Sequence, residues 1–242
     1  AQAAGEPRHL ARAYGQLGDL YMSRNRLEEA RRLTEWAMQW AQLTQDPDQQ
    51  LAWTWQLAQL YQRQGQTELA MTTQRQAVTY LEAIRQDLPP SYRQGYSAFT
   101  RLVSPIYLGL TDLLLQQADR ITDSEQRQAL LHEARDTVER LRTSELRDYF
   151  RDSCLGHRST TIETLAPGTA VVYPIILPNR LAVLIGVGEQ LALHQTPISP
   201  LRLEITVRRL LASLRNQGLE PFDQRRAKLL HDWLLGPAST RL

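Results

Sequence analysis

A forty-residue internal period constrains this chain more than any other feature. Leu17-Gly18 is matched by Leu57-Ala58, Tyr21 by Tyr61, Ala30 by Ala70 and Ala37 by Ala77. The connection inside each repeat matches too, with Asn25 opposite Gly65. These are the residue types that best accept the left-handed conformation that ends a helix. A period of this length, with helical spacing inside it, predicts stacked helical hairpins. Such a hairpin buries its apolar face mainly against its neighbours.

Leu17 and Tyr21 lie one turn apart and are expected to face the packing side, as are Leu57 and Tyr61. Small residues at Gly18, Ala58, Ala30 and Ala70 allow two antiparallel helices to approach closely. The pattern of Leu-Gly, then Tyr, then Ala resembles the tetratricopeptide repeat, with a second helix longer than usual in each pair. Asp46-Pro47-Asp48 and Leu88-Pro89-Pro90 supply stops between pairs. A third, less regular pair is expected to open at Ser104-Pro105. It would continue after a cap at Ser124 or Thr122, with Leu131, Ala134, Val138 and Leu141 on one face. The pairs are placed at about 8–46, 49–88 and 91–150, in a repeat domain of residues 1–150.

The resemblance implies a concave surface for a protein or peptide partner. The positions matching it are Arg12, Asp19 and Met22 on one helix, and Trp55, Gln59, Gln62 and Arg63 on another. Their three- and four-residue spacing places each set along one stripe. An aromatic anchor beside amides and arginine suits an extended peptide or a partner helix. The alternative for Trp55 is packing within its own helix layer, as expected of Trp36, Trp40 and Trp53.

From residue 170 the pattern changes. Ala170–Leu177 and Leu181–Ile185 read as two strands around a three-residue turn, Pro178-Asn179-Arg180. A third strand, Leu191–Thr196, follows Gly186-Val187-Gly188 in a small mixed sheet. Ser199-Pro200 opens a helix whose apolar face is Leu203, Val207, Leu210, Leu211 and Leu214. After Gly218, Asp223 caps a last helix with Ala227, Leu230, Trp233 and Leu234 aligned, ended by Gly236-Pro237. Three strands and two helices are expected to leave part of the sheet uncovered.

Three strings in order, "ALLHEARDTVERLRTSELRDYFRDSC", "TAVVYPIILPNRLAVLI" and "LLHDWLLGP", resemble the opening of a CHAT domain. That family comprises caspase-like cysteine peptidases fused behind tetratricopeptide repeats. The resemblance implies a mainly α chain: a helical-hairpin array followed, at 151–242, by an incomplete caspase-like α/β domain. It implies a peptidase parent whose His and Cys follow later strands. Neither motif occurs here, so no catalytic residue is assigned. The function expected is regulatory protein binding beside a catalytic segment supplied elsewhere. The rival readings are a repeat adaptor with a small α/β cap, or a self-assembly module that pairs through an open sheet edge.

The remaining chemistry is sparse. Cys154 and His157 are three apart, but a caspase-like site needs its partners on separate strand ends beside oxyanion donors. His9, His132, His194 and His231 are dispersed, so no metal or other cofactor is expected. Gly186-x-Gly188 lacks a third glycine and reads as a turn. Twenty-eight basic and 26 acidic residues give net charge +2, with no field favouring nucleic acid. Arginines dominate the cations (Lys228 is the sole lysine) but are scattered among acids. No apolar run reaches the ~18 residues of a membrane span. Ala1–Gly5 lacks the basic start and apolar core of a signal peptide, which says nothing of a longer parent; the location expected is cytoplasmic. The helical pattern begins almost at once, which reads as a segment of something longer.

Overall fold

The helical pattern folds as a series of hairpins joined by chemically repeated turns. A computed structural model describes residues 5–87, 103–150, 169–215 and 222–236. The helices are α1 (Gly5–Ser23), α2 (Leu27–Leu43), α3 (Pro47–Arg63), α4 (Thr67–Asp87), α5 (Ser104–Arg120) and α6 (Ser124–Phe150). Strands β1 (Ala170–Ile176), β2 (Leu181–Val187) and β3 (Gln190–Thr196) follow, then α7 (Pro200–Arg215) and α8 (Gln224–Leu234). The chain divides into two compact units, Ala1–Gln117 with Glu139–Ser153, and Ala118–Val138 with Cys154–Leu242.

In the first unit, three turns close the same way. Asn25, Gln45 and Gly65 have φ of 58°, 50° and 74°. At each, the residue after the turn donates back to the carbonyl five residues earlier: Arg26 to Tyr21 at 2.9 Å, Asp46 to Ala41 at 3.3 Å, and Gln66 to Tyr61 at 2.9 Å. The turn residue itself donates three residues back, to Met22, Gln42 and Gln62 in turn, each at 3.1 Å. This is the Schellman closure, which satisfies carbonyls that a helix end leaves orphaned. The expected equivalence of Asn25 and Gly65 therefore has a common backbone cause. Asp46 adds an N-cap, accepting from the Gln49 N–H at 3.2 Å, with Pro47 at the first helical position.

The hairpins are held by small residues and a few buried amides. Ala30, Ala37, Ala41, Ala70 and Ala77 are fully buried. Gln56 donates through Nε2 to the Gly15 carbonyl at 3.1 Å and to Thr34 Oγ1 at 2.8 Å, while Thr34 donates to Ala30 O at 2.8 Å. A Cβ on Gly18 would stand 2.6 Å from Thr34 Oγ1 and 2.7 Å from Gln56 Nε2. Glycine is what admits this buried junction of α1, α2 and α3. Forty residues beyond Thr34, Gln74 Nε2 donates to Ile106 O at 2.7 Å and so joins α4 to α5. Leu131, Ala134, Val138 and Leu141 of α6 are buried as expected. The α6 cap is Asp123, whose Oδ1 accepts from the N–H groups of Glu125 and Gln126, rather than Ser124 or Thr122.

In the second unit the sheet is wholly antiparallel, in the order β1-β2-β3, and not mixed. The first turn is two residues, Pro178-Asn179, because Leu177 pairs with Arg180 through a 2.9 Å bond. The second is Gly188-Glu189, with Gly188 at φ 60°. Gly186 lies inside β2, between Val171 and Leu191, instead of in the turn.

Leu181, Val183 and Ile185 face Ile198, Leu203, Leu230 and Trp233, forming a core with α7 and α8. On the opposite face Ala182, Leu184, Tyr173, Ile175 and Leu191 are also buried, so the expected uncovered face is not observed along β2. Leu211 and Leu214, expected on the buried side of α7, are 46% and 40% exposed; Thr206 and Ser213 are buried instead.

Both outer strands have their edges modified. Alternation from the Leu177–Arg180 pair puts Pro174 at a position whose nitrogen points away from β2, where a missing donor costs no ladder bond. On β3, the Gln128 side chain exchanges two bonds with Leu191. Its Nε2 donates to the Leu191 carbonyl at 2.9 Å, and its Oε1 accepts from the Leu191 N–H at 3.0 Å. The amide thus occupies the place of a neighbouring strand. His132 Nε2 lies 3.0 Å from Glu189 O, and Gln195 Nε2 donates to Asp119 at 3.2 Å on the same edge. Asp223 caps α8 as expected, accepting from the Arg226 N–H at 3.0 Å.

The stop at Leu88-Pro89-Pro90, the opening of the third pair near 91, Cys154, His157, Gly218 and Pro237 lie outside the described residues.

Candidate protein-binding surface

Helices α1 and α3 belong to the first unit and occupy equivalent places in successive repeats. The α3 set forms a stripe. At about 100° per residue, Gln59 and Gln62 fall within roughly 40° of Trp55, and Arg63 lies about 80° round from it. Trp55 and Gln59 are half-buried, while Gln62 and Arg63 are exposed. Arg63 Nη1 donates to the Met22 carbonyl at 3.2 Å, which holds the guanidinium across the end of α1.

The α1 set is less coherent. Arg12 and Asp19 are exposed, but Met22 is only 7% exposed and packs with Ala30 and Leu60, beside Tyr21 and Leu27. Ten residues of helix carry Met22 about 80° away from Arg12, into the buried sector. Met22 is therefore core and not stripe. Leu17 departs in the other direction: expected to pack, it is 44% exposed.

The remaining tryptophans divide. Trp53 lies against Gly15, where an added Cβ would meet its ring at 2.4 Å. Trp36 is 49% exposed and meets Tyr14 edge-on, with ring centroids 5.4 Å apart. Spacing alone does not separate these environments, since the partner of each ring lies on another helix.

Charges beside the surface are paired locally. Arg31 bonds Glu28 at 3.1 Å and Glu35 at 2.5 Å, and Gln64 Nε2 reaches Glu28 at 2.9 Å. Burial, reinforced by the Glu35 carboxylate, pushes the Tyr61 phenol above its ordinary pKa. On α3, Gln59, Gln62 and Arg63 offer donors and acceptors on the same side of the helix as the half-buried Trp55, while Arg12 and Asp19 are exposed on α1.

Among the described residues no group of three or more His, Cys, Asp or Glu side chains is placed to hold a metal ion. Among the same residues no helix is long and apolar enough to cross a membrane.

No curated protein and no solved structure matches the chain. The family model of the tetratricopeptide repeat matches residues 11–33 and 55–80, the two segments that carry the forty-residue period and most of this surface.

Proposed function

We propose that the chain is a protein-binding scaffold whose repeats grip an extended peptide or partner helix through Arg12, Asp19, Trp55, Gln59, Gln62 and Arg63. The observation that carries this reading is the α3 stripe. Four side chains of mixed character share one side of a helix whose Thr54, Gln56, Leu57, Ala58 and Leu60 are buried. Tetratricopeptide repeats at 11–33 and 55–80 support a role in protein interaction.

The test is to pan an extended-peptide library on the intact chain and measure the selected peptides by calorimetry. Trp55→Ala is expected to weaken them about tenfold or more, as central aromatic anchors do. Selected peptides that bind wild type, Trp55→Ala and Gln62→Ala alike would place the binding surface elsewhere.

The narrower form of the proposal is that this scaffold regulates a CHAT-type caspase-like cysteine endopeptidase in the cytoplasm, residues 151–242 being the non-catalytic start of that domain. Its support is the ordered succession of the three strings that resemble the family. Coding sequence beyond Leu242 tests it. A strand followed by Ser/Thr-His-Gly, then another followed by Ser-Ala-Cys, favours the peptidase, whereas their absence favours the adaptor.

A further inference from the structure

Helix α7 has two apolar sides, and the sheet uses one. Leu203, Val207 and Leu210 pack with Leu181, Val183 and Ile185 of β2 and with Trp233 of α8. At about 100° per residue, Leu201, Ile205 and Ala212 fall in one sector of roughly 40° on the opposite side, Ala212 lying about 180° from Leu203. All three are exposed, Leu201 by 65% and Ile205 by 42%. A helix with one face in a core ordinarily turns polar residues outward. Apolar residues on both sides are the pattern of a helix covered on both sides.

Charge brackets this outward strip. In a chain of net charge +2, α7 and α8 carry six arginines and Lys228 against two acids, Glu204 and Asp232. Three of the arginines are engaged. Arg202 lies 5.5 Å over the Trp233 ring, Arg208 pairs with Glu204 at 2.6 Å, and Arg226 pairs with Asp223. Arg209 and Arg215 stand about 60° to either side of Ala212. Both are exposed, and among the described residues neither meets a carboxylate.

We infer that the outward side of α7, centred on Leu201, Ile205 and Ala212, docks an amphipathic helix of a partner protein whose apolar ridge is flanked by carboxylates. The ridge packs along Leu201 and Ile205, and the small Ala212 lets the two backbones approach. A carboxylate on each flank of the incoming helix reaches Arg209 or Arg215, whose guanidinium fork suits it. The width of the strip favours a helix over a lipid surface. A face that lies in a membrane is a broad apolar sector, whereas this one accommodates a single ridge. Helix α7 belongs to the second unit and the Trp55 stripe to the first, so this inference does not rest on the proposed function.

The test is selection of a phage-displayed library of single amphipathic helices on the intact chain. The selected helices are expected to carry Leu or Ile at three- and four-residue spacing flanked by Glu or Asp, and to slow amide exchange along α7. Ile205→Glu, and separately Arg209→Glu with Arg215→Glu, should weaken them about tenfold or more. Added salt should weaken them as well. Lysine in place of their glutamates should restore binding to the charge-reversed chain, a rescue that a misfolded variant could not give. Failure to select any helix, or helices that ignore both variants or depend on Trp55, overturns the inference. Protection of α7 by phosphatidylserine vesicles and not by the peptides overturns it in favour of a lipid surface.

Discussion

Replacing Gly18 by alanine sets two effects of opposite sign against each other. Alanine is favoured over glycine in a helix interior by about 1 kcal/mol. Against this, the new methyl would sit 2.6 Å from Thr34 Oγ1, 2.7 Å from Gln56 Nε2 and 3.2 Å from the Ala30 carbonyl. None of these atoms can simply move away. Thr34 is fully buried and bonded to Ala30 O, while Gln56 is anchored on Gly15 O. Relief breaks the Gln56–Thr34 bond, worth about 1 kcal/mol, and adds an overpacking cost of about 1–3 kcal/mol. Sterics win, and Gly18→Ala is expected to destabilise the first unit by about 1–3 kcal/mol. The second hairpin is an internal control: Ala58 occupies the matching position, where Gln74 replaces Thr34. The assay is urea unfolding followed by circular dichroism, in wild-type and Thr34→Ala backgrounds. In the latter the nearest obstacle is gone, and the substitution should cost less than about 0.5 kcal/mol or become stabilising. A rise in midpoint for Gly18→Ala alone, or an equal cost in both backgrounds, would refute the reasoning.

Other outcomes follow from the same geometry. Asn25→Ala should cost about 1 kcal/mol, because φ of 58° strains a β-carbon, whereas Asn25→Gly should be neutral or stabilising; thermal unfolding separates the two. Gln128→Ala removes both bonds to Leu191 and should cost about 1–2 kcal/mol, with faster exchange of the Leu191 amide as its local signature. The cap bond from the Arg226 N–H, then the Arg226 side chain, hold the Asp223 carboxyl below the usual carboxylate range. A lowered folded pKa gives stability that is complete above the unfolded value near ~3.9 and is lost as pH falls through the folded one. Exchange at the Arg226 amide, corrected for its intrinsic rate, should therefore accelerate only in acid, and Asp223→Asn should flatten that dependence.

The period, turns and alanine ridges were legible in the sequence because they are local or are repeated verbatim. Asn25 and Gly65 announced the same backbone conformation, and Asp46-Pro47 announced a helix start. What escaped was burial that depends on a distant neighbour. Leu17 and Leu57 are the same residue in the same motif, yet among the described residues only Leu57 packs on a preceding hairpin. Met22 shares the spacing of a stripe but lies far enough round the helix to reach Leu60. Gly186 looked like a turn residue since glycine marks turns more often than strand interiors; its place between Val171 and Leu191 is a matter of register. At the candidate surface, the spacing of Trp55, Gln59 and Gln62 puts them in one narrow sector of α3, with Arg63 about 80° round from Trp55. The polar lock at Gln56 carried no local signal, as its acceptors lie 22 and 41 residues away.

The turn residues Asn25, Gln45 and Gly65 are evenly placed, so links within a hairpin and links between hairpins are interchangeable modules. A loss or gain of twenty residues would leave every junction chemically intact while swapping inner for outer helices throughout the rest of the array. Only multiples of forty restore the partner each helix is shaped to meet. Length variation in this array is therefore quantised in whole hairpins, and an indel of a single helix is silent at its seam but costly at every layer beyond it.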